Sequence, residues 1–288
     1  GVAENFVLVE IDYPQDKSKI SEETQKQNAE LQEKYQVQQF PTILLMDAQG
    51  RPFAQTSYQA NGPDNYVLHL NELLKDGEAI KASLDSAAKL DGVKKAEAYI
   101  NALTLIPATQ LSHYQDITNQ IPALDPEDTT GFTAKKKLQT EMLNLESEID
   151  TLFNSEKSTE APALIDKFIA EHTLNKDQLL GLEIMKLQIN MVIADQAGNI
   201  ELAMKHVDDY VASKELTADE TQELLSMKVG PLIRAKKFDA VVKLTDEIIA
   251  ISPDSAVAKM AKQFKTQQLP GIIKQSEEPA PNAPSDSE

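Results

Sequence analysis

The chain has 288 residues, enough for two domains with cores of their own. Lysine and arginine number 28 against 46 aspartate and glutamate residues, which gives a net charge of -18. Nucleic acids and anionic membrane surfaces attract basic patches, so neither is expected as a partner. No run approaches the ~18 consecutive apolar residues of a membrane-spanning helix, so no membrane insertion is expected.

The first predicted elements are a strand and a helix. Residues 5–13 (NFVLVEIDY) form an apolar run rich in β-branched side chains, which predicts a buried strand. Residues 21–35 have the apolar spacing of an amphipathic helix.

A β-hairpin is predicted next. Pro41 donates no hydrogen bond to a sheet ladder, so it is expected at the entrance of a strand formed by the apolar residues 42–46. Residues 47–50 (DAQG) have the composition of a tight turn, and residues 51–58 predict the second strand. A short helix over residues 65–74 follows.

This order of strand, helix, X-Pro-Thr, strand, turn, strand and helix resembles the C-terminal half of a thioredoxin-like domain. The residues that carry the resemblance are Val9–Asp12, Leu31–Val37, Phe40–Ile43, Asp47–Gly50 and Tyr66–Leu74. It covers residues 1–78 and implies an α+β or α/β fold there. In that family the proline is cis and the backbone before it holds an extended peptide. The resemblance therefore makes Phe40, Pro41 and Thr42 the candidates for peptide binding.

The redox motif of that family, Cys-X-X-Cys, would precede residue 5, and the sequence contains no cysteine. Thiol-disulfide exchange needs an attacking thiolate, so this chain alone is not expected to catalyse it. Two explanations stay open: a fragment whose motif lies upstream of Gly1, or a natural degenerate relative. The first is favoured, because the strand that belongs between the two apolar strands is also missing. Apolar strands left unpaired invite pairing with another chain, so a strand-exchanged homo-oligomer is one expectation.

Residues 79–272 predict a larger all-α domain, since almost every window has helical period. A weak internal repeat aligns residues 200–211 with residues 238–249, and Pro253 follows the second copy. This pattern resembles a tetratricopeptide-like (TPR-like) stack of helix hairpins, although the tryptophan and Gly-Tyr signature of that repeat is absent. An irregular helical bundle is the alternative. The buried seams of a stack are expected at Ala163, Phe168, Ala203, Tyr210, Ala240 and Ile248.

Residues 273–288 are rich in proline, serine and acid and predict a disordered tail. No metal site is expected, because the four histidines lie far apart in the sequence: His69, His113, His172 and His206. No glycine-rich phosphate loop occurs either, so no cofactor is expected.

The function expected is therefore a thioredoxin-like protein, without redox cysteines in this chain, that acts as a scaffold for a protein or peptide client. The alternative is a fragment of a thiol-disulfide oxidoreductase or redox chaperone. By resemblance alone, the location expected is periplasmic or secreted.

Overall fold

The computed structural model describes residues 4–60 and 62–277. The chain divides into two compact units, Gly1–Gln139 and Thr140–Glu288. The first unit extends beyond the boundary expected between residues 78 and 79. The reason is that a single helix, Gly62–Ala87, runs through that point and packs against the helix Gly92–Leu103.

The first unit holds a two-stranded sheet and the N-terminal helices. Its elements are α1 (Glu22–Lys34), β1 (Ile43–Met46), β2 (Pro52–Thr56), α2 (Gly62–Ala87), α3 (Gly92–Leu103), α4 (Gln115–Thr118) and α5 (Ile121–Leu124). A 3-10 helix, Ala108–Tyr114, lies between α3 and α4. Helix α1 begins where the Ser21 side chain accepts a hydrogen bond from the Thr24 N–H, an N-cap that satisfies an otherwise unpaired donor.

The predicted hairpin is confirmed. Strands β1 and β2 pair antiparallel, with Ile43 opposite Thr56. The Asp47 carboxylate accepts hydrogen bonds from the Gln49 and Arg51 N–H groups and so closes the turn. Gly50 in this turn has a φ of 73°, which glycine adopts at little cost.

The strand predicted over residues 5–13 does not form in the described part of the chain, where the sheet contains only β1 and β2. Residues 6–13 lie in no helix or strand, and Val7, Leu8 and Val9 are 93%, 69% and 79% exposed. The apolar sequence was interpreted as a buried strand, but a strand becomes buried only when neighbours pair with it and cover it.

The second unit is helical. Its elements are α6 (Phe132–Asn154), α7 (Ala161–Glu171), α8 (Lys176–Gln196), α9 (Ile200–Ser213), α10 (Ala218–Ser226), α11 (Val229–Arg234), α12 (Phe238–Ile251), α13 (Ala256–Gln263) and α14 (Leu269–Glu277). The boundary between the two units falls inside α6. The predicted tail begins too early, because residues 273–277 belong to α14, and the rest of it lies outside the described residues.

The two copies of the internal repeat have the same local geometry. The turn before α9 places Gly198 at a φ of 70°, and the turn before α12 places Lys236 at a φ of 55°. In the helices that follow, Ala203 and Val241 are each 0% exposed.

The seam positions were predicted with mixed success. Phe168, Ala203 and Ile248 are buried, and Tyr210 is half-buried. Ala163 is exposed and Ala240 only half-buried, because the inward-facing helix positions are their near neighbours, such as Ile165 and Val241.

Candidate functional site

A cleft of about 340 Å³ lies at the open end of the hairpin, where the chain entering β1 faces the chain leaving β2. Its lining residues are Gln39, Phe40, Pro41, Thr42, Gln55, Thr56, Ser57 and Tyr58. The structure therefore brings all three predicted candidates into one cleft. The Phe40–Pro41 peptide bond is cis, the isomer that the family resemblance implies.

The first wall is held by aromatic packing and a local hydrogen bond. The Phe40 ring lies against Tyr13, with ring centroids 4.7 Å apart, and the Tyr13 hydroxyl donates a 2.5 Å hydrogen bond to the Asn28 carbonyl of α1. The Thr42 hydroxyl donates to the Gln39 carbonyl over 2.6 Å. The Phe40 side chain nevertheless stays 57% exposed, so one part of it faces solvent.

The second wall is positioned from behind by side chains that do not line the cleft. Gln110, which is 3% exposed, donates a hydrogen bond from its amide nitrogen to the Gln55 side-chain oxygen over 3.2 Å. The Thr56 hydroxyl lies 3.0 Å from Nε2 of His69 on α2. Beyond them Tyr58 is 79% exposed and forms the outer end of the wall.

The cleft has the chemistry of a binding site. Its lining residues are all uncharged, and none is a thiol. The lining can supply apolar contact, hydroxyl and amide groups, and backbone hydrogen bonds to a guest.

Residues 4–60 and 62–277 offer neither a cluster of metal ligands nor a membrane-spanning helix. They contain no group of three or more histidine, aspartate or glutamate side chains placed to hold a metal ion. Their helices are all too short or too polar to cross a membrane.

The sequence predicted one wall of the cleft, at Phe40, Pro41 and Thr42, but not the other, at residues 55–58. The sequence did contain a signal for the missed wall. The tight turn at residues 47–50 fixes the hairpin register and so places residues 55–58 opposite the entrance of β1. The supporting contact from Gln110 had no such signal, since it comes from a distant 3-10 helix.

Comparison with known proteins supports the thioredoxin-like assignment of this region. The family model described as a thioredoxin-like domain matches residues 1–67. Over 68 residues, the chain is 35% identical to a protein of Chlamydia pneumoniae named disulfide bond reductase DsbH. The comparison with solved structures finds no match.

The match places a thioredoxin-like domain at the N-terminus, followed by a largely helical remainder. The alignment with the Chlamydia protein covers 24% of this chain and 40% of that protein, so the chain spans less than half the length of that relative.

Proposed function

We propose that the N-terminal domain binds an extended, uncharged peptide segment in the cleft beside Pro41, and that this chain acts as a scaffold for that client. The observation that carries the proposal is a cleft that has a neutral lining but large aromatic side chains at its mouth. Exposed aromatic rings supply much of the binding energy at protein interfaces when they become covered.

Electrostatics favour the same class of guest. A charged peptide side chain would lose its hydration in this cleft without meeting an opposite charge among the lining residues. An acidic peptide would also approach a protein of net charge -18 against long-range repulsion. An uncharged segment with a central aromatic or aliphatic residue avoids both costs.

The test uses a fluorescein-labelled peptide of serine, glutamine and threonine with a central Phe-Val-Phe. Fluorescence anisotropy should show saturable binding, weakened about tenfold by Phe40→Ala or Tyr58→Ala, the effect of losing roughly 1.4 kcal/mol. Leu68→Ala is the matched control, because Leu68 is an equally accessible apolar residue, 62% exposed, outside the cleft lining. Equal affinity for all four proteins would contradict the proposal.

A second candidate function is favoured by the name of the Chlamydia relative, a disulfide bond reductase. In this alternative the cleft positions a disulfide-bearing peptide, and a Cys-X-X-Cys motif upstream of Gly1 in the natural polypeptide supplies the thiolate. The sequence given contains no cysteine, so it can form no mixed disulfide.

Insulin reduction separates the two candidates. The chain as given should reduce insulin disulfides no faster than buffer. A natural polypeptide that extends upstream of Gly1 should reduce them only if it carries the motif there, so a parent gene without a Cys-X-X-Cys would remove the second candidate. Measurable reduction of insulin by a pure preparation of the given sequence would contradict both candidate functions.

For the second unit we propose a TPR-like role in holding a protein client, with the protein located in the periplasm or secreted. The matched turns at Gly198 and Lys236 support a repeated hairpin. The location rests on the thioredoxin-like resemblance of the first unit.

A further inference from the structure

A groove lies between α6 and α7 in the second unit and has a volume of about 220 Å³. On α6 its lining residues run from Glu141 to Glu148, and on α7 they run from Leu164 to Glu171. Both sets have the spacing i, i+3, i+4 and i+7, so each set occupies one face of its helix over roughly 10 Å. The volume is below the roughly 300 to 1,000 Å³ of small-molecule sites, so the groove suits a single side chain.

One end of the groove is held by His172, the residue after α7. Its Nε2 atom lies 3.3 Å from a Glu141 carboxylate oxygen, and its Nδ1 atom lies 2.8 Å from the Phe168 carbonyl oxygen. The imidazole ring also stacks on the Phe168 ring, with centroids 4.0 Å apart and planes 17° apart. The beginning of the α6 set therefore meets the end of α7, and this end of the groove presents a fixed aromatic stack beside a carboxylate.

The groove combines an apolar floor with an acidic rim. The floor consists of Leu145 and Phe168, which are 4% and 8% exposed, and of the half-buried Leu164. Of the described lining residues, one is a lysine, Lys167, and three are glutamates: Glu141, Glu148 and Glu171. Lys167 lies 3.9 Å from Glu171 with both side chains more than half exposed, so this ion pair contributes little. The rim therefore keeps a net negative charge whether or not the histidine is protonated.

We propose that this groove binds an arginine side chain on a basic segment of a partner protein. Arginine matches both parts of the groove, because its alkyl stem covers the apolar floor while its guanidinium reaches the carboxylates of the rim. It fits better than lysine, since the planar guanidinium binds carboxylates through paired N–H groups and stacks on aromatic rings such as that of His172. Arginine recognition here rests on the client-holding role proposed for the second unit, and it specifies the chemistry of the client segment that is held.

Fluorescence anisotropy on the full chain with a fluorescein-labelled peptide tests this site. The peptide consists of serine and glutamine around a central Arg-Ser-Arg. Its matched counterpart carries citrulline, the uncharged analogue of arginine, at both arginine positions. In roughly 0.15 M NaCl, attraction to the acidic chain is largely screened beyond about 8 Å. Under these conditions the arginine peptide should bind about tenfold more tightly than the citrulline peptide, because only arginine forms charge-assisted hydrogen bonds with the rim.

Two double variants separate the groove from the effect of net charge. Glu148→Gln combined with Glu171→Gln should weaken binding of the arginine peptide about tenfold, because it removes two carboxylates from the rim. Glu146→Gln combined with Glu247→Gln is the matched control. It changes the net charge equally, but both positions lie outside the groove lining, so it should bind like the unchanged chain. All four glutamates are exposed, so neither double variant disturbs the packing of the helices.

Equal binding by the two double variants would overturn arginine recognition, since the attraction would then follow net charge alone. No saturable binding of the arginine peptide would overturn it as well. Saturable binding of both peptides with equal affinity, weakened alike by the groove variant, would reject arginine recognition but keep the client-holding role of the second unit. Phe40→Ala should leave binding of the arginine peptide unchanged, so the cleft of the first unit and this groove can fail separately.

Discussion

At the scale of single residues, Asp125, in the loop before α6, is held by a network of local hydrogen bonds. Its side chain is buried, and its carboxylate accepts four hydrogen bonds from the N–H and hydroxyl groups of Thr129 and Thr130. The bond from the Thr130 N–H contributes most to lowering the Asp125 pKa from 3.8 to about 2. Because the folded-state pKa lies below the ordinary value, ionised Asp125 stabilises the fold.

This stabilisation is fully present above the ordinary pKa of 3.8 and is lost as the pH falls through about 2. Asp125→Asn should therefore lower the midpoint of thermal unfolding at pH 7. The difference in midpoint between this variant and the unchanged chain should shrink as the pH falls toward 2. The neighbouring Glu127→Gln, at an exposed position, is the control and should show no such narrowing. A difference that stays constant between pH 5 and pH 2 would refute this role for the Asp125 carboxylate.

At the scale of elements, the contact between α2 and the sheet depends on Gly77. A Cβ atom on Gly77 would lie 2.6 Å from the Phe53 ring of β2, closer than carbon atoms approach in proteins. Glycine here permits close packing inside a continuous helix, although glycine weakens helix interiors in general.

Gly77→Ala should therefore destabilise the first unit by ~1 to 3 kcal/mol, the usual effect of overpacking a core. Gly181→Ala is the matched control, since Gly181 lies inside α8 with open space around it and alanine should stabilise that helix by about 0.5 to 1 kcal/mol. Urea unfolding of the two variants measures both effects. Adding Phe53→Leu to Gly77→Ala should recover part of the loss, and strictly additive effects would argue against the contact.

At the scale of the whole molecule, the second unit is either a stack of locally packed hairpins or a single cooperative bundle. Phe168 on α7 and Ile248 on α12 are 8% and 1% exposed and lie far apart in the sequence. Alanine at either position should cost ~2 to 5 kcal/mol, the range for truncating a packed core side chain. At the exposed neighbours Lys167 and Glu247, alanine should change stability by less than about 0.5 kcal/mol.

Hydrogen exchange distinguishes the two architectures. In a stack each hairpin contacts only its neighbours, so Phe168→Ala should expose amides near α7 and leave those near Ile248 protected. Loss of protection across the whole unit in both variants would identify a single bundle and remove the TPR-like proposal.

Local features of the chain were determined by the sequence itself. The turn residues 47–50 and the apolar run before them predicted the hairpin, and helical periodicity predicted the helical remainder. These features could be predicted because backbone preference and the spacing of apolar side chains act over a few neighbouring residues. The candidates Phe40, Pro41 and Thr42 came from the same local pattern, combined with the family resemblance.

The tertiary structure alone decided which residues become buried and which partners they meet. The helix predicted over residues 65–74 extends to Ala87, and Gly77 packs against Phe53 inside it. Gln222 is fully buried, and its amide nitrogen donates hydrogen bonds to the carbonyls of Ile248 and Ser252, which are distant in the sequence. The segment Val7–Ile11 is largely apolar but exposed, since burial of a strand depends on neighbours that its own sequence does not contain.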